Sequence, residues 1–296
     1  MDIKRTLAQA RRLLQFDPEE RARHDYAHVF LKGLRDVQEL SPRPLKEARV
    51  LILGCGYTYP EVILYNPRVR FVAGLDVLNA FYRDGWLARY RDILQREGHP
   101  LQAAFKTAVE RYKFARYYTL LEDISGVRVE HERYVLHTYD GYHMPFPDDY
   151  FDVVMSNAVL EHVEDMPRLV EELARVTRPG GISYHLWHNY YSLSGGHVHP
   201  SIYRAEPWGH VRGVYPTSGL NRLRPEEIRA FFSARFLPLS LYHVDAKHAK
   251  QELDPDYEPE GAELLTPELR AELAEYPEDL LLTRAFLLIA RLTTQT

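Results

Sequence analysis

The sequence predicts an α/β chain built on a doubly wound, mainly parallel sheet, with a helical insert and one long loop. Three observations predict it. Apolar runs of strand length recur between residues 50 and 187, separated by stretches with helical spacing. The first run, Val50-Leu51-Ile52-Leu53, is apolar throughout, as a strand buried on both faces requires. It ends at Gly54-Cys55-Gly56, a turn that leads into a helix start, and strand–helix–strand crossovers join parallel strands.

Residues 1–44 read as an N-terminal helical cap. Leu7, Leu13, Leu14 and Phe16 suggest one apolar stripe. Tyr26, Val29, Phe30, Leu34 and Val37 continue it after the start signal Asp17-Pro18-Glu19-Glu20. Ser41-Pro42-Arg43-Pro44 is a breaker and opens the main domain, residues 45–296. After the first strand, Pro60–Leu64 starts a helix with Pro in its first turn. Phe71–Leu75 is a second strand, closed by Asp76. Tyr134–His137 is a third and Phe151–Asn157 a fourth. Helix Leu169–Val176 stops at Arg178-Pro179-Gly180-Gly181, and Ile182–Trp187 is a fifth strand. The end of the chain reads as helix Pro225–Phe236, strand Leu239–Val244, an acidic stretch, helix Pro267–Tyr276 and strand Thr283–Leu292. Two segments exceed this plan. Residues 81–126 hold two or three helices dense in Tyr, Phe and Arg. Residues 189–223 form a loop rich in Gly, His, Tyr and Pro, and loops of that length are commonly functional.

Composition narrows the function. With 45% hydrophobic residues the chain can bury a core, which excludes intrinsic disorder. A net charge of −5 argues against bulk binding to nucleic acid, which needs a phosphate-neutralising surface. The single cysteine, Cys55, excludes an intramolecular disulfide. No apolar leader and no run long enough to span a membrane stand in the sequence, so a cytoplasmic location is expected.

The turn after the first strand points to a nucleotide. Glycines let backbone approach a ligand, and the next helix offers free N–H groups. Asp76 stands 20 positions after Gly56, at the end of the next strand, where a carboxylate can accept hydrogen bonds from ribose hydroxyls. Asp140-Gly141 follows the third strand, and an Asp there can accept from an adenine amine.

The ordered set LILGCG, LD, YDGYHMPFPDDYFDVVMSNAVLEHVED and ELARVTRPGG resembles the class I S-adenosylmethionine-dependent methyltransferases, in the group with PFPD..FD and LEH signatures. The resemblance runs from Val50 to Trp187 and implies a Rossmann-like fold with S-adenosylmethionine as cofactor. It implies roles by position. Gly54, Cys55 and Gly56 would cradle the methionine and ribose end. Asp76 would hold the ribose hydroxyls, with Val77 beside the adenine. Asp140 would take the adenine amine, flanked by Gly141 and Tyr142. Asn157 would offer its carbonyl to the methionine amine. Thr58 stands where that family usually has a third glycine, which puts the form of the turn and the contact of Tyr57 in question. SLSGGHVHP, PWGHVRG and LNRLRPEEIRAFFSARF look like a bacterial subgroup associated with surface-polysaccharide genes. The expected acceptor is therefore a small-molecule hydroxyl, on a sugar or glycan. A lipid, secondary metabolite or amine acceptor, and a non-catalytic cofactor-binding partner protein, are the alternatives.

A hydroxyl acceptor needs a base as attack proceeds, and imidazole suits neutral pH. The resemblance places His162 in the active site, either as base or as a residue that fixes Glu161. His197 and His199 lie in the loop after the fifth strand, where α/β sheets carry substrate loops. His185 and His188 face opposite sides of a strand, and His188 is nearer the carboxyl end. His162, His197 and His188 are thus the catalytic candidates. No spacing matches a metal signature and no metal is assigned. A metal would require His197 and His199 to converge with Glu161 or His210. The pocket wall is expected from the helices near Tyr26, the 81–126 insert and residues 189–212. The Tyr-rich insert helices also offer a homodimer face.

Overall fold

The computed structural model describes residues 17–77 and 85–293. The stripe Leu7–Phe16 and residues 81–84 of the insert lie outside the described residues. The five apolar runs become β1 (Arg49–Leu53), β2 (Phe71–Asp76), β3 (Val135–Thr138), β4 (Phe151–Asn157) and β5 (Thr177–His188). With β6 (Phe236–Val244) and β7 (Ala285–Leu292) they form one sheet in the order β3-β2-β1-β4-β5-β7-β6. Strands β1 to β5 pair in parallel, with Val50 beside Val72 on β2 and beside Val153 on β4. β7 runs antiparallel between β5 and β6. The fold is the expected doubly wound, mainly parallel, Rossmann-like sheet. Its order reverses between β1 and β4, and such a switch point opens a crevice at the carboxyl ends of the strands.

Side chains alternate along β1, which builds a core on each face. Val50 and Ile52 face Phe30, Tyr65 and Tyr117. Leu51 and Leu53 face Leu169, Leu173, Ile228 and Phe232. The first face is covered by α1 (Pro18–His24), whose first turn is capped by Asp17 accepting from the Glu19 N–H at 2.8 Å. The chain then runs through a π-helical turn, Asp25–Phe30, into α2 (Leu31–Leu40). Helix α3 (Pro60–Tyr65) follows β1. The insert supplies α4 (Trp86–Glu97) and α5 (Pro100–Ser125), joined by Arg89, which donates from Nε to Glu110 at 2.8 Å. The second face carries α6 (Met166–Val176) and α8 (Pro225–Ser233).

The C-terminal half departs from the expected boundaries. The helix from Pro225 ends at Ser233, because Phe236 already pairs with Leu292 in the sheet. β5 begins at Thr177, so Pro179-Gly180-Gly181 lies within the strand, and the register shifts between Phe151 and Val153 to absorb it. The loop 189–223 contains one short helix, α7 (Pro200–Ala205). Helix α9 (Pro267–Glu272) is shorter than expected, and α10 (Glu278–Leu282) precedes β7. No helix among the described residues is long and apolar enough to cross a membrane.

Candidate functional site

The turn after β1 is built around two glycines with positive φ. Gly54 has φ +67°, and a Cβ there would lie 2.1 Å from Cγ2 of Val159. Only glycine lets β1 pass that close to the segment after β4. The Gly54 and Cys55 N–H groups donate to the Leu75 carbonyl at 2.7 and 3.0 Å, locking the turn to β2. Gly56 also has φ +67°, but its Cβ position is open, with no atom within 4 Å. Its N–H donates to Asp76 Oδ2 at 2.7 Å. The absence of a side chain at Gly56 therefore leaves backbone exposed to a cavity of about 270 Å³ lined by Gly54, Cys55, Gly56 and Asn157.

Thr58 replaces glycine without opening the turn. The strain falls on Tyr59, which adopts φ 37° and caps α3. Its buried hydroxyl meets His131 Nδ1 at 2.8 Å, and Tyr118 of the insert donates to the Thr58 carbonyl at 3.0 Å. The insert thus holds a backbone conformation that costs on the order of 1–3 kcal/mol. Tyr57 packs edge-on against Phe114, ring centroids 5.5 Å apart.

At the end of β2, Val77 is 61% exposed, unusual for valine. Gly141, with φ +96°, faces it, its Cβ position 3.9 Å from Val77 Cγ1. The pair makes a flat apolar ledge. Asp140 is exposed, and its Oδ1 accepts from the Tyr142 and His143 N–H groups at 2.8 and 2.6 Å. These two bonds hold its carboxyl below the ordinary carboxylate range. Tyr142 braces the same turn: its hydroxyl accepts from the Asp165 N–H at 3.0 Å, and Arg168 sits 4.6 Å above its ring.

The polar floor of the cavity was not anticipated. Asp25, only 3% exposed, lies 2.9 Å from Arg21 Nε and accepts from the Tyr117 hydroxyl at 2.6 Å. Burial opposes its charge. The His24 imidazole, 3.6 Å away, then Arg21 and Tyr117, outweigh burial and hold the carboxyl below its ordinary value. Glu61 stands nearby, and burial, then the Asp25 charge, push its carboxyl up to about 7. The spacing of Arg21 and Asp25 on one helical face is the sequence signal for this group.

Glu61 sets a pH dependence. A carboxyl raised from 4.5 to about 7 holds its proton in the folded chain after the unfolded chain has released it. Its contribution to stability is therefore lost as pH rises from about 4.5 to about 7, by at most about 3 kcal/mol. Chemical denaturation of the Glu61→Gln variant is expected to show a flatter pH dependence across that window than the parent. Parallel curves would show that Glu61 ionises normally.

A second cavity, of about 450 Å³, shares Arg21, Asp25, Val29 and Asn157 with the first and extends to His188, His248 and Arg284. His185 and His188 part company as the strand geometry requires. His185 is fully buried between Ser156 Oγ at 2.7 Å and Ser183 Oγ at 2.6 Å, and burial drives its imidazole down to about 3. His188 lines the cavity. His197, in a left-handed backbone conformation (φ 53°), places its ring centroid 5.1 Å from that of His188 and 5.3 Å from that of His162. His162 is exposed and does not line either cavity. Its Nδ1 lies 2.7 Å from the Gly219 carbonyl, which can only accept, so Nδ1 carries the hydrogen and Nε2 keeps its lone pair.

His199 and His210 do not join His197. His199 caps α7, its Nδ1 accepting from the Ser201 N–H at 3.2 Å. His210 is buried, with Nε2 2.7 Å from the Tyr190 carbonyl. The group that does converge is Glu161, His188 and His197, whose ligand atoms all lie within 4.8 Å of one another. Residues 189–212 are also not the cavity wall expected of them. Beyond them in the same long loop, Asn221 holds the turn Leu160–His162, donating from Nδ2 to the Leu160 and Val163 carbonyls at 2.6 and 2.9 Å. The wall comes from Arg21, His24 and Asp25 on one side and His248 and Arg284 on the other.

A family model described as a methyltransferase domain matches residues 119–184, from within α5 to β5. The chain is 51% identical over 47 residues to an uncharacterized methyltransferase of Mycolicibacterium vanbaalenii, covering 15% of this chain and 18% of the relative. It is 33% identical over 116 residues to another from Mycolicibacterium paratuberculosis, covering 32% of this chain and 46% of the relative. Both matches thus span less than half of the relatives' own length. A solved S-adenosylmethionine-dependent methyltransferase from Mesorhizobium loti overlays 87% of this chain and 96% of that one, at 15% identity and a TM-score of 0.43. The segment 119–184 therefore carries a methyltransferase-domain sequence, centred on the strand and turn that present Asn157, Glu161 and His162.

Proposed function

We propose that the protein is an S-adenosylmethionine-dependent methyltransferase acting on a hydroxyl of a small molecule, a sugar or glycan. The observation that carries the reading is that the two cavities adjoin, sharing Arg21, Asp25, Val29 and Asn157 as lining residues. One end has the open glycine backbone suited to a nucleoside; the other meets histidines. The residues present fit the cofactor. Gly54, Cys55 and Gly56 would cradle its methionine and ribose end, Asp76 its ribose hydroxyls, and Val77 and Gly141 the adenine faces. Asp140 and Tyr142 would form the adenine edge. Asn157 and Asp25 offer acceptors to an ammonium group, and Arg21 a partner for a carboxylate.

When bound, the cofactor supplies an activated methyl group, so the protein's task is to place the acceptor in line and remove its proton. His162 is assigned the proton, with Nε2 as the accepting atom because Nδ1 is committed to Gly219. His188 lines the acceptor side of the cleft, with the His197 ring packed against it. Helix α1 and the π-helical turn Asp25–Phe30 wall it.

Calorimetry tests the cofactor. S-Adenosylmethionine and its demethylated product are expected to bind, and Asp76→Ala to weaken binding by about 1.5–3 kcal/mol, the range for a charge-assisted hydrogen bond. Binding of a nicotinamide dinucleotide without binding of the sulfonium would sink the reading. Labelled methyl transfer into fractionated cell extract would then identify the acceptor.

A further inference from the structure

We propose that Glu161, His188 and His197 bind a divalent transition-metal ion at the acceptor end of the cleft, leaving coordination positions open. The acceptor role of the ion rests on the methyltransferase reading; the binding of the ion does not.

The three residues come from separate segments: the 3₁₀ turn Leu160–His162, the end of β5, and the left-handed turn at His197. Glu161 Oε1 and His188 Nδ1 stand 3.1 Å apart, yet His188 Nδ1 has no hydrogen-bond partner. That separation suits two ligands of one ion. Bonds of about 2.1 Å at angles between 90° and tetrahedral put neighbouring ligand atoms about 3.0–3.4 Å apart. His197 lies within 4.8 Å of both, so a modest side-chain rotation completes the set.

Glu161 is 3% exposed, and its Oε2 has no hydrogen-bond partner, while Oε1 accepts only a long bond, 3.3 Å, from the His188 N–H. A buried carboxylate in this state is unfavourable, and a cation bound between it and the two imidazoles would satisfy it. Arg284, a cation whose charge reaches His197, is paired with Glu260 at 3.0 Å. Two imidazoles and one carboxylate select zinc, iron(II) or cobalt(II) over magnesium or calcium, which prefer all-oxygen sites. With three protein ligands such an ion keeps room for an exogenous oxygen and acidifies it. His162, held outside the ligand set by its Nδ1 contact with the Gly219 carbonyl, has its ring beside that of His197.

The full chain, stripped with a chelator, is titrated with Zn²⁺ by calorimetry and with Co²⁺ by visible absorption. Saturation at one ion per chain is expected, with tetrahedral or five-coordinate cobalt bands. Glu161→Gln, His188→Ala and His197→Ala should each weaken binding at least about tenfold, and His199→Ala should not. Circular dichroism confirms that each variant is folded; His197, at the surface, is the variant least able to disturb the core. S-Adenosylmethionine binding is measured on the same samples. Metal binding without cofactor binding would support the ion site and overturn the methyltransferase reading. No saturable site, or equal affinity in Glu161→Gln and His197→Ala, would overturn the ion site whatever the cofactor does.

Discussion

Replacing His162 by alanine is expected to lower methyl transfer to the natural acceptor by about 10²–10⁴-fold, the usual worth of a positioned base. An alcohol is too weak an acid to ionise unaided near neutral pH. The imidazole is pre-oriented, since the Gly219 carbonyl fixes its tautomer and Asn221 fixes the turn that carries it. Cofactor affinity should change by less than about 1 kcal/mol, because the loss falls on the transition state. Turnover with the identified acceptor and calorimetry with S-adenosylmethionine separate the two effects. Full turnover by the variant at neutral pH would make the enzyme a positioning catalyst for an acceptor that is already nucleophilic.

Gly54→Ala is expected to be the most damaging single change at the turn. It combines a left-handed backbone, about 1–2 kcal/mol for an L-residue, with a Cβ placed 2.1 Å from Val159, where overpacking adds about 1–3 kcal/mol. Urea denaturation should show a loss of about 2–5 kcal/mol, with cofactor binding lost as β1 and the Val159 segment separate. Gly56→Ala is the internal control. Its backbone has the same φ but its Cβ meets open space, so stability should fall by only about 1–2 kcal/mol while the cofactor cradle is filled. Equal unfolding curves for Gly54→Ala and the parent would mean that the turn is looser than its geometry shows.

The parallel half of the fold was legible because its signals are local. A doubly buried strand is apolar throughout, and β4 begins and ends at the residues its pattern names, Phe151 and Asn157. The C-terminal half was less so. Phe231, Phe232 and Phe236 satisfy a helical and a strand period alike, and only the pairing of Phe236 with Leu292, far along the chain, decides between them. The glycine turn, the acid that ends β2 and the acid after β3 could be placed from sequence, because their position follows from strand ends. Asp25, Glu61 and His248 could not. Their proximity depends on how α1, α3 and the segment after β6 pack across the sheet, and no spacing along the chain records it. The histidines show the same limit: His162, His188 and His197 meet from three separate segments, and the pairing of His197 with His188 in preference to His199 is set by a backbone turn.

The position of β7 bears on how the chain is made. Synthesis proceeds from the N-terminus, and domains fold as their segments emerge. β1 to β5 can assemble as each crossover is completed, but β6 has no neighbour until β7 arrives to lie between it and β5. Through the interval in which residues 245–284 are being added, the outer edge of β5 is unpaired, and an unpaired edge is a template for other chains. A transcript broken before Ala285 would thus yield a nascent product with two unmatched edges, a natural client for chaperones, even though every residue of the glycine turn is already present.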